Sequence, residues 1–255
     1  MNNRLQDYLK RIVDGGRADR AMLDWLADPA AVGLDELMAA ADAIRVRFNG
    51  PAATACSIMS VQTGACSEDC AYCSQSAHFD AGIEPTRFLP PSAVADYAER
   101  MKAEGAFALG IVTSGRGIFT VTDAERVADS LRAARDAGIE PHASIGIILD
   151  DGLISILKAA GLTVAHHNLE TSERFFPSIC TTHTWSDRRD TVRAFKRNGL
   201  KVCSGALFGL GETMADRIDL ALTLAALDAD SVPLNFLDPR DRKSTRLNSS
   251  HGKLS

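Results

Sequence analysis

The stretch Cys66-Ser-Glu-Asp-Cys70-Ala-Tyr-Cys73 places three cysteines within eight residues, shortly after the apolar run Cys56–Val61. Cysteines this close together are poorly placed for long-range disulfides, and a chain of 255 residues can build its core without such bridges. Thiolates are soft ligands that suit an iron–sulfur cluster or zinc. The spacing therefore predicts a metal centre on the loop that follows a first strand.

The number of cysteines on this loop bears on the kind of metal centre. A zinc ribbon ordinarily supplies a second cysteine pair about 12 to 20 residues away, and none follows Cys73 at that distance. Three protein ligands leave one iron of a [4Fe–4S] cluster open to a substrate or cofactor. The spacing favours such an open cluster, with zinc or thiols that bind nothing as the alternatives.

Short apolar runs alternate with amphipathic segments along the rest of the chain, which predicts a parallel sheet with crossover helices. A TIM-type (βα) barrel is favoured, and an open doubly wound sheet is the alternative. Thr122, Asp150 and Ser186 are the predicted N-caps of three helices. The predicted strands are Cys56–Val61, Phe107–Thr113, His142–Leu149, Val164–Leu169, Lys201–Phe208 and Ser231–Leu237, and the predicted helices are Pro91–Glu104, Asp123–Ala137, Asp151–Ala160, Ser186–Asn198 and Thr213–Leu227.

Three regions are expected along the chain. Residues 1–50 show helical periodicity and form an N-terminal helical extension, and residues 51–240 form the barrel. Only six of its eight strands can be counted, so the barrel lacks its last strands. Residues 241–255, DRKSTRLNSSHGKLS, resemble the translation of a sequencing-library adapter. We expect this tail to be non-native and the natural chain to be cut there.

Composition and charge exclude some classes of function. Lys and Arg total 28 against 33 Asp and Glu, which gives a formal charge of −5 and argues against a nucleic-acid partner. No apolar run approaches the roughly 18 residues of a membrane span, and the N-terminus has no signal-peptide core. A soluble cytoplasmic protein without a membrane partner is expected.

The cysteine run, with Tyr72 before its last cysteine, resembles the signature of radical S-adenosylmethionine (SAM) enzymes. Within that superfamily the chain resembles the biotin synthase family from about residue 55 to residue 240. The resemblance implies a barrel, a homodimer, a reductant such as flavodoxin or ferredoxin, and radical insertion of sulfur into dethiobiotin. The matching blocks are TGACSEDCAYCSQSAHF, IVTSGRG, HHNLETS, CTTHTWSDRRDTV, KVCSGALFGLGET and DSVPLNF.

The resemblance also assigns roles to individual residues. Without it, Asn168 and Asn235 would be read as turn residues and Arg188 as a solvated helix charge. The neighbouring pair His166 and His167 would point to opposite faces of a strand, and neither these residues nor His183 is predicted as a ligand. The implied roles are [4Fe–4S] ligation by Cys66, Cys70 and Cys73, SAM binding by Tyr72, Asn168, Glu170, Arg188, Gly205, Gly209 and Glu212, and substrate binding by Asn168 and Asn235.

The chain departs from its family at a second, auxiliary cluster. Biotin synthases hold a [2Fe–2S] cluster with three cysteines and one arginine, and here only Cys203 matches. Ala108 and His142 stand at the other two cysteine positions, and the arginine would lie beyond residue 240. Histidine can replace a thiolate, as in Rieske centres, but alanine cannot.

The remaining cysteines suggest a different auxiliary cluster. Cys56, Cys180 and Cys203 are its predicted ligands, whether it is [2Fe–2S] or another type, unless these cysteines are simply apolar core residues. Two other functions stay open: a radical SAM enzyme without a sulfur donor, and an inactive truncated fragment that binds a cluster.

Overall fold

The N-terminal part of the protein is helical. The computed structural model describes residues 2–238, and its first elements are α1 (Asn3–Val13), α2 (Arg20–Leu26) and α3 (Leu34–Asn49). Their small apolar cluster contains buried Leu5, Val32 and Ala40. The three helices precede the first strand and leave the parallel sheet to be built by the chain that follows.

Strands and helices alternate from residue 56 onward. All the strand pairs are parallel, with the order β1-β2-β3-β4-β5 in one sheet and a separate β6-β7 pair. The strands are β1 (Cys56–Gln62), β2 (Ala108–Thr113), β3 (Glu140–Ser144), β4 (Val164–His166), β5 (Lys201–Cys203), β6 (Ala206–Phe208) and β7 (Leu234–Phe236), and the helices are α4 (Pro91–Ala103), α5 (Val121–Asp136), α6 (Asp151–Ala159), α7 (Trp185–Arg197) and α8 (Met214–Ala226), with a 3₁₀ turn at Phe176–Ser178.

The sequential strand order separates the two predicted folds. A doubly wound sheet reverses its order at a switch point, which places helices on both faces. Here each crossover moves one strand further in the same direction, and because such crossovers are right-handed as a rule, the helices cover one face. This is the arrangement of a partial TIM-type barrel and confirms the predicted fold class.

The core lies between the sheet and its covering helices. Helix α5 shows why the sequence folds this way, because Ala124, Val127, Leu131 and Ala134 recur at helical spacing and are fully buried against the strands. Burying a side chain such as Leu131 stabilises the fold by about 1.5–3 kcal/mol. The packed face holds the strands in register and fixes the positions of the loops at their carboxyl ends.

The predicted run Lys201–Phe208 is wrong as a single strand, since it divides into β5 and β6. A Cβ atom on Gly205 would lie 1.9 Å from the carbonyl oxygen of Pro233, so the backbones approach closely there. Single-residue bridges at Glu170–Ala206 and Cys203–Ser231 keep the two sheets adjacent across the break.

Other boundaries also differ from the sequence predictions. Strand β3 ends at Ser144 rather than at residue 149, because the chain turns at Gly146 with φ +74°. The caps of α5 and α7 are Thr120 and Thr184, each two residues before the predicted Thr122 and Ser186, whereas Asp150 is confirmed as the cap of α6.

The C-terminal tail and the length of the helices bear on two expectations from the sequence. The predicted tail, residues 241–255, lies outside the described residues. Among residues 2–238, no helix combines the length and the apolar character needed to cross a bilayer.

Candidate functional site

The three clustered cysteines lie on the long loop between β1 and α4, at the carboxyl end of β1. Gly64 and Ala65 enter the loop with φ of +70° and +51°, and a Cβ atom on Gly64 would lie only 2.9 Å from Cα of Pro85. The Cys66 amide then donates to the Gln75 carbonyl over 3.0 Å. This contact folds the loop back on itself, so that the segment containing the cysteines forms a closed turn.

The thiols of this loop are free and poorly solvated. Cys66 and Cys70 are buried and Cys73 is half-buried, and none forms a disulfide. Burial raises the pKa of Cys73, and the charge of nearby Cys66 raises it further. Thiolates crowded in this way are stabilised by a bound cation, and soft iron suits them. The donor set fits the three protein ligands of a [4Fe–4S] cluster.

Arg188, in the first turn of α7, connects this loop to the ends of the neighbouring strands. Its guanidinium donates to the Asn168 carbonyl over 2.6 Å, to the Tyr72 hydroxyl over 3.2 Å and to His183 Nε2 over 3.2 Å. It also lies 3.7 Å from the Glu170 carboxylate. Four of the predicted SAM-binding residues therefore lie together beside the cysteine loop.

Asn168 and Glu170 follow strand β4. The Asn168 side-chain oxygen accepts a hydrogen bond of 3.0 Å from the amide of Gly205. Glu170 is buried and adopts φ +68°, a left-handed conformation that is uncommon for a residue with a side chain. The turn directs its carboxylate towards Arg188 rather than along the strand.

The remaining predicted SAM and substrate residues lie around β6 and β7. The Glu212 carboxylate is buried and accepts hydrogen bonds from the amides of Gly209 (3.0 Å) and Leu210 (2.8 Å). Glu212 therefore holds the turn after β6. The Asn235 side-chain amide, on β7, donates to the Ala206 carbonyl over 3.2 Å.

The predicted auxiliary ligands are not all brought together. Cys56, on β1, is exposed, whereas Cys203, on β5, is buried, and burial raises the pKa of Cys203. Cys180 instead lies beside Cys70, with 3.7 Å between the sulfur atoms. Within residues 2–238, a group of possible metal ligands is formed by Cys70, Cys180 and His183, whose ligand atoms lie within 4.8 Å of one another. The auxiliary set of Cys56, Cys180 and Cys203 stays a prediction.

Two acidic residues of this region, Glu68 and Asp69, were missed by the sequence analysis. Glu68 accepts a hydrogen bond of 2.6 Å from His183 Nδ1, and Thr182 donates to the same carboxylate over 2.9 Å. Burial opposes ionisation, but these hydrogen bonds outweigh it and lower the pKa of Glu68. The local signal was the acidic pair inside the cysteine motif, but the partners lie more than 110 positions away.

The neighbouring Asp69 fastens the cysteine loop to the loop before α7. Its carboxylate accepts hydrogen bonds from the amides of Thr181 (2.8 Å) and Thr182 (3.2 Å), and the Ala71 amide donates to the Ile179 carbonyl. Burial opposes ionisation of this carboxyl group, yet the hydrogen bonds outweigh it and hold the pKa of Asp69 well below its usual range. The two loops form one hydrogen-bonded unit.

Comparison with known sequences gives a consistent result. The profile of the radical SAM superfamily matches residues 60–224. The biotin synthase of Trichlorobacter lovleyi is 44% identical over 229 residues, which cover 89% of this chain and 68% of that protein. The biotin synthase of Pelobacter propionicus is 42% identical, covering 90% of this chain and 70% of its own length.

Solved structures support the fold. Methylornithine synthase (PylB) superposes with a TM-score of 0.77 at 17% identity, covering 89% of this chain and 67% of that one. The [FeFe]-hydrogenase maturase HydG also gives 0.77, at 15% identity, over 92% of this chain and 54% of its own. With the sequence matches, these findings show that the chain belongs to the biotin synthase family of radical SAM enzymes.

Proposed function

We propose that this protein inserts sulfur into dethiobiotin to form biotin, using SAM and a [4Fe–4S] cluster held by Cys66, Cys70 and Cys73. The observation that carries the proposal is the placement of Arg188 and Glu170 beside a loop of three poorly solvated thiols. The family membership supplies the substrate class.

The cluster and the side chains around it would have separate tasks. A bound cluster would supply the single electron that cleaves SAM to a 5′-deoxyadenosyl radical, with flavodoxin or ferredoxin as the reductant. Arg188 binds the methionyl carboxylate of SAM through a charge-assisted contact. Since its donors now serve Asn168, Tyr72 and His183, SAM would replace some of these partners.

The strand ends hold the rest of SAM and the substrate. Glu170 accepts hydrogen bonds from the ribose hydroxyls. Gly205 and Gly209 let the backbone approach the adenosine, and Glu212 keeps that turn in place through its contact with the Gly209 amide. The Asn168 amide lies between the ribose and the substrate, and the Asn235 amide hydrogen-bonds the ureido ring of dethiobiotin.

We propose an auxiliary iron–sulfur cluster, [2Fe–2S] or another type, as the sulfur source. Cys203 supports it as the cysteine that matches the family's ligand, and Cys56 and Cys180 are kept as the further ligands predicted from the sequence. Two C–H abstractions alone cannot form a thioether, so some group must hold sulfide near the substrate. We propose that the enzyme works in the cytoplasm as a homodimer.

Two variants test this function on anaerobically reconstituted protein. Replacing Cys66, Cys70 and Cys73 together by alanine should abolish 5′-deoxyadenosine formation. Cys203→Ala should retain 5′-deoxyadenosine formation, lose the iron of one cluster and form no biotin. Parent-rate 5′-deoxyadenosine formation in the triple variant would refute the radical cluster. Normal biotin formation by Cys203→Ala would instead refute the sulfur donor and favour a radical SAM reaction without one.

A further inference from the structure

The cluster of Cys70, Cys180 and His183 has a geometry that the radical chemistry does not use. The sulfur atoms of Cys70 and Cys180 are 3.7 Å apart, and Cys180 Sγ lies 3.2 Å from Nδ1 and 3.9 Å from Nε2 of His183. All three residues are buried. Three soft or borderline donors thus converge in a pocket that excludes most water.

The sulfur–sulfur distance identifies the kind of centre. Two thiolates on one tetrahedral zinc ion, each bonded at about 2.3 Å, lie about 3.8 Å apart. In a [4Fe–4S] cluster each thiolate binds a different iron, so two cysteine sulfurs lie much further apart. The spacing of Cys70 and Cys180 therefore suits a single metal ion rather than a cluster.

Glu68 completes the arrangement from outside the donor set. It accepts a hydrogen bond of 2.6 Å from His183 Nδ1, which leaves Nε2 as the unprotonated nitrogen. A histidine that ligates a metal commonly donates its other N–H to a carboxylate in this way. Arg188 now donates to Nε2 over 3.2 Å, and an incoming ion would displace that hydrogen bond.

We propose that the cluster-free protein binds one zinc-like divalent cation in tetrahedral coordination through Cys70, Cys180 and His183. Because Cys70 is also a proposed ligand of the [4Fe–4S] cluster, the ion and the cluster exclude each other. Zinc at this site blocks cluster assembly until it is removed. The site stands on its own geometry and does not depend on which reaction the loaded enzyme performs.

Cobalt(II) binding to the reduced, cluster-free full chain tests the site. The double variant Cys66→Ala/Cys73→Ala removes the rest of the cysteine motif but keeps the three proposed ligands. It should bind one equivalent of cobalt, with the ligand-field bands of a tetrahedral ion and thiolate-to-cobalt charge transfer. Six-coordinate cobalt, or no bound cobalt, in this variant would overturn the proposal.

Further substitutions in that background identify the ligands. Cys180→Ala should remove the tetrahedral spectrum, and Glu68→Gln should weaken binding about 10- to 100-fold by freeing the histidine ring. Ser130→Ala is the control, since it alters a fully buried side chain on α5, which holds no proposed ligand, and this variant should bind cobalt unchanged. Circular dichroism checks that each variant is folded. An unaltered cobalt affinity in folded Cys180→Ala protein would contradict the assignment.

Competition with the cluster gives a second readout. One equivalent of zinc should slow [4Fe–4S] reconstitution of the parent protein at least tenfold, and a chelator should restore it. Cys180→Ala protein should assemble its cluster at the same rate with or without zinc. Equal inhibition of both proteins would place the zinc on the motif itself and overturn the exclusion at Cys180. Failure of biotin formation would leave these measurements unaffected.

Discussion

At the scale of single residues, Gly205 shows how closely two backbones approach between β5 and β6. Its missing side chain leaves room for the Pro233 carbonyl oxygen, which would lie 1.9 Å from a Cβ atom. We expect Gly205→Ala to destabilise the fold by about 1–3 kcal/mol, the usual cost of overpacking. Because the Asn168 side chain binds the Gly205 amide, SAM affinity should fall as well. Urea unfolding and SAM titration measure the two effects.

Gly33 provides the control for this substitution. It precedes α3 with φ −71°, and a Cβ atom there would meet no atom within 4 Å. Gly33→Ala should lower the free energy of unfolding by less than about 1 kcal/mol, the amount by which alanine caps a helix less well than glycine. Equal effects of the two substitutions would show that the approach to Pro233 is not the constraint.

Asp216, at the start of α8, carries a pH dependence. Its buried carboxylate accepts hydrogen bonds from Ser172 (2.6 Å), Arg174 Nε (3.0 Å) and the Thr213 amide (2.8 Å). Burial opposes the charge, but these contacts hold the pKa of Asp216 well below its unfolded value of about 3.9. The carboxylate therefore stabilises the fold at neutral pH, and its contribution is lost as the pH falls from about 5 downward.

Replacement of this carboxylate tests that contribution. We expect Asp216→Asn to lower the free energy of unfolding at pH 7 by about 1–3 kcal/mol, as for a buried charged hydrogen-bonding group. The variant should also lose less stability than the parent on acidification below pH 5. Chemical denaturation across that range is the measurement. The exposed Asp129 serves as the control, and an identical pH profile for Asp216→Asn and Asp129→Asn would contradict the assignment.

At the scale of elements, the cap of α7 connects helix stability to the site. Thr184 and Asp187 form a capping box, and Arg188 lies in the first turn of the same helix. Thr184→Ala should lower the free energy of unfolding by about 1 kcal/mol and let this turn fray, since the Asp187 amide loses its acceptor. SAM affinity should decrease because the guanidinium is less well held. Thermal melting and SAM titration give the two readouts.

Helix α5 offers a matched control for that prediction. Thr120 caps it in the same way, accepting a hydrogen bond of 3.1 Å from the Asp123 amide, and its first turn carries no proposed site residue. Thr120→Ala should cost a similar amount of stability without changing SAM affinity. If both variants lost SAM affinity equally, the effect would be global rather than local to α7.

Elements also show what could be predicted from the sequence. Strand and helix order followed from local periodicity, because alternating apolar runs and amphipathic segments are properties of neighbouring residues. The cap at Thr184 is a local signal, a threonine with an aspartate three residues on, and choosing Ser186 instead overlooked it. The break at Gly205 depends on the approach of Pro233, and the role of Glu68 on a hydrogen bond to His183, 115 positions away, so neither could be read from neighbouring residues.

At the scale of the whole molecule, apolar side chains lie exposed on the outer strands. Among residues 2–238, β1 pairs with β2 alone and β7 pairs with β6 alone. Ile58 on β1 is 53% exposed, and Leu234 on β7 is 56% exposed. Exposed apolar strand edges promote association between chains. We expect the 255-residue protein to self-associate, as light scattering would show over a range of concentrations.

A charge on the edge strand should reduce this association. Leu234→Lys places an ammonium group on β7, and it should shift the onset of association to a higher protein concentration. Phe119→Lys alters an apolar residue of similar exposure, 57% against 56% for Leu234, that lies outside the strands. A monodisperse parent protein, or an equal effect of both substitutions, would refute edge-to-edge association.

The hydrogen bonds that fasten the cysteine loop to the loop before α7 have a consequence for reassembly of a damaged iron–sulfur cluster. Asp69 and Ala71 hold the thiols in place through protein contacts alone. Ordering a backbone costs about 1–2 kcal/mol per residue, and here that cost is met when the chain folds rather than when iron arrives. We therefore expect that loss of a cluster to oxygen would leave a preformed binding loop rather than a disordered one. Iron and sulfide should then rebind without refolding of the chain, as long as no other metal ion occupies Cys70 first.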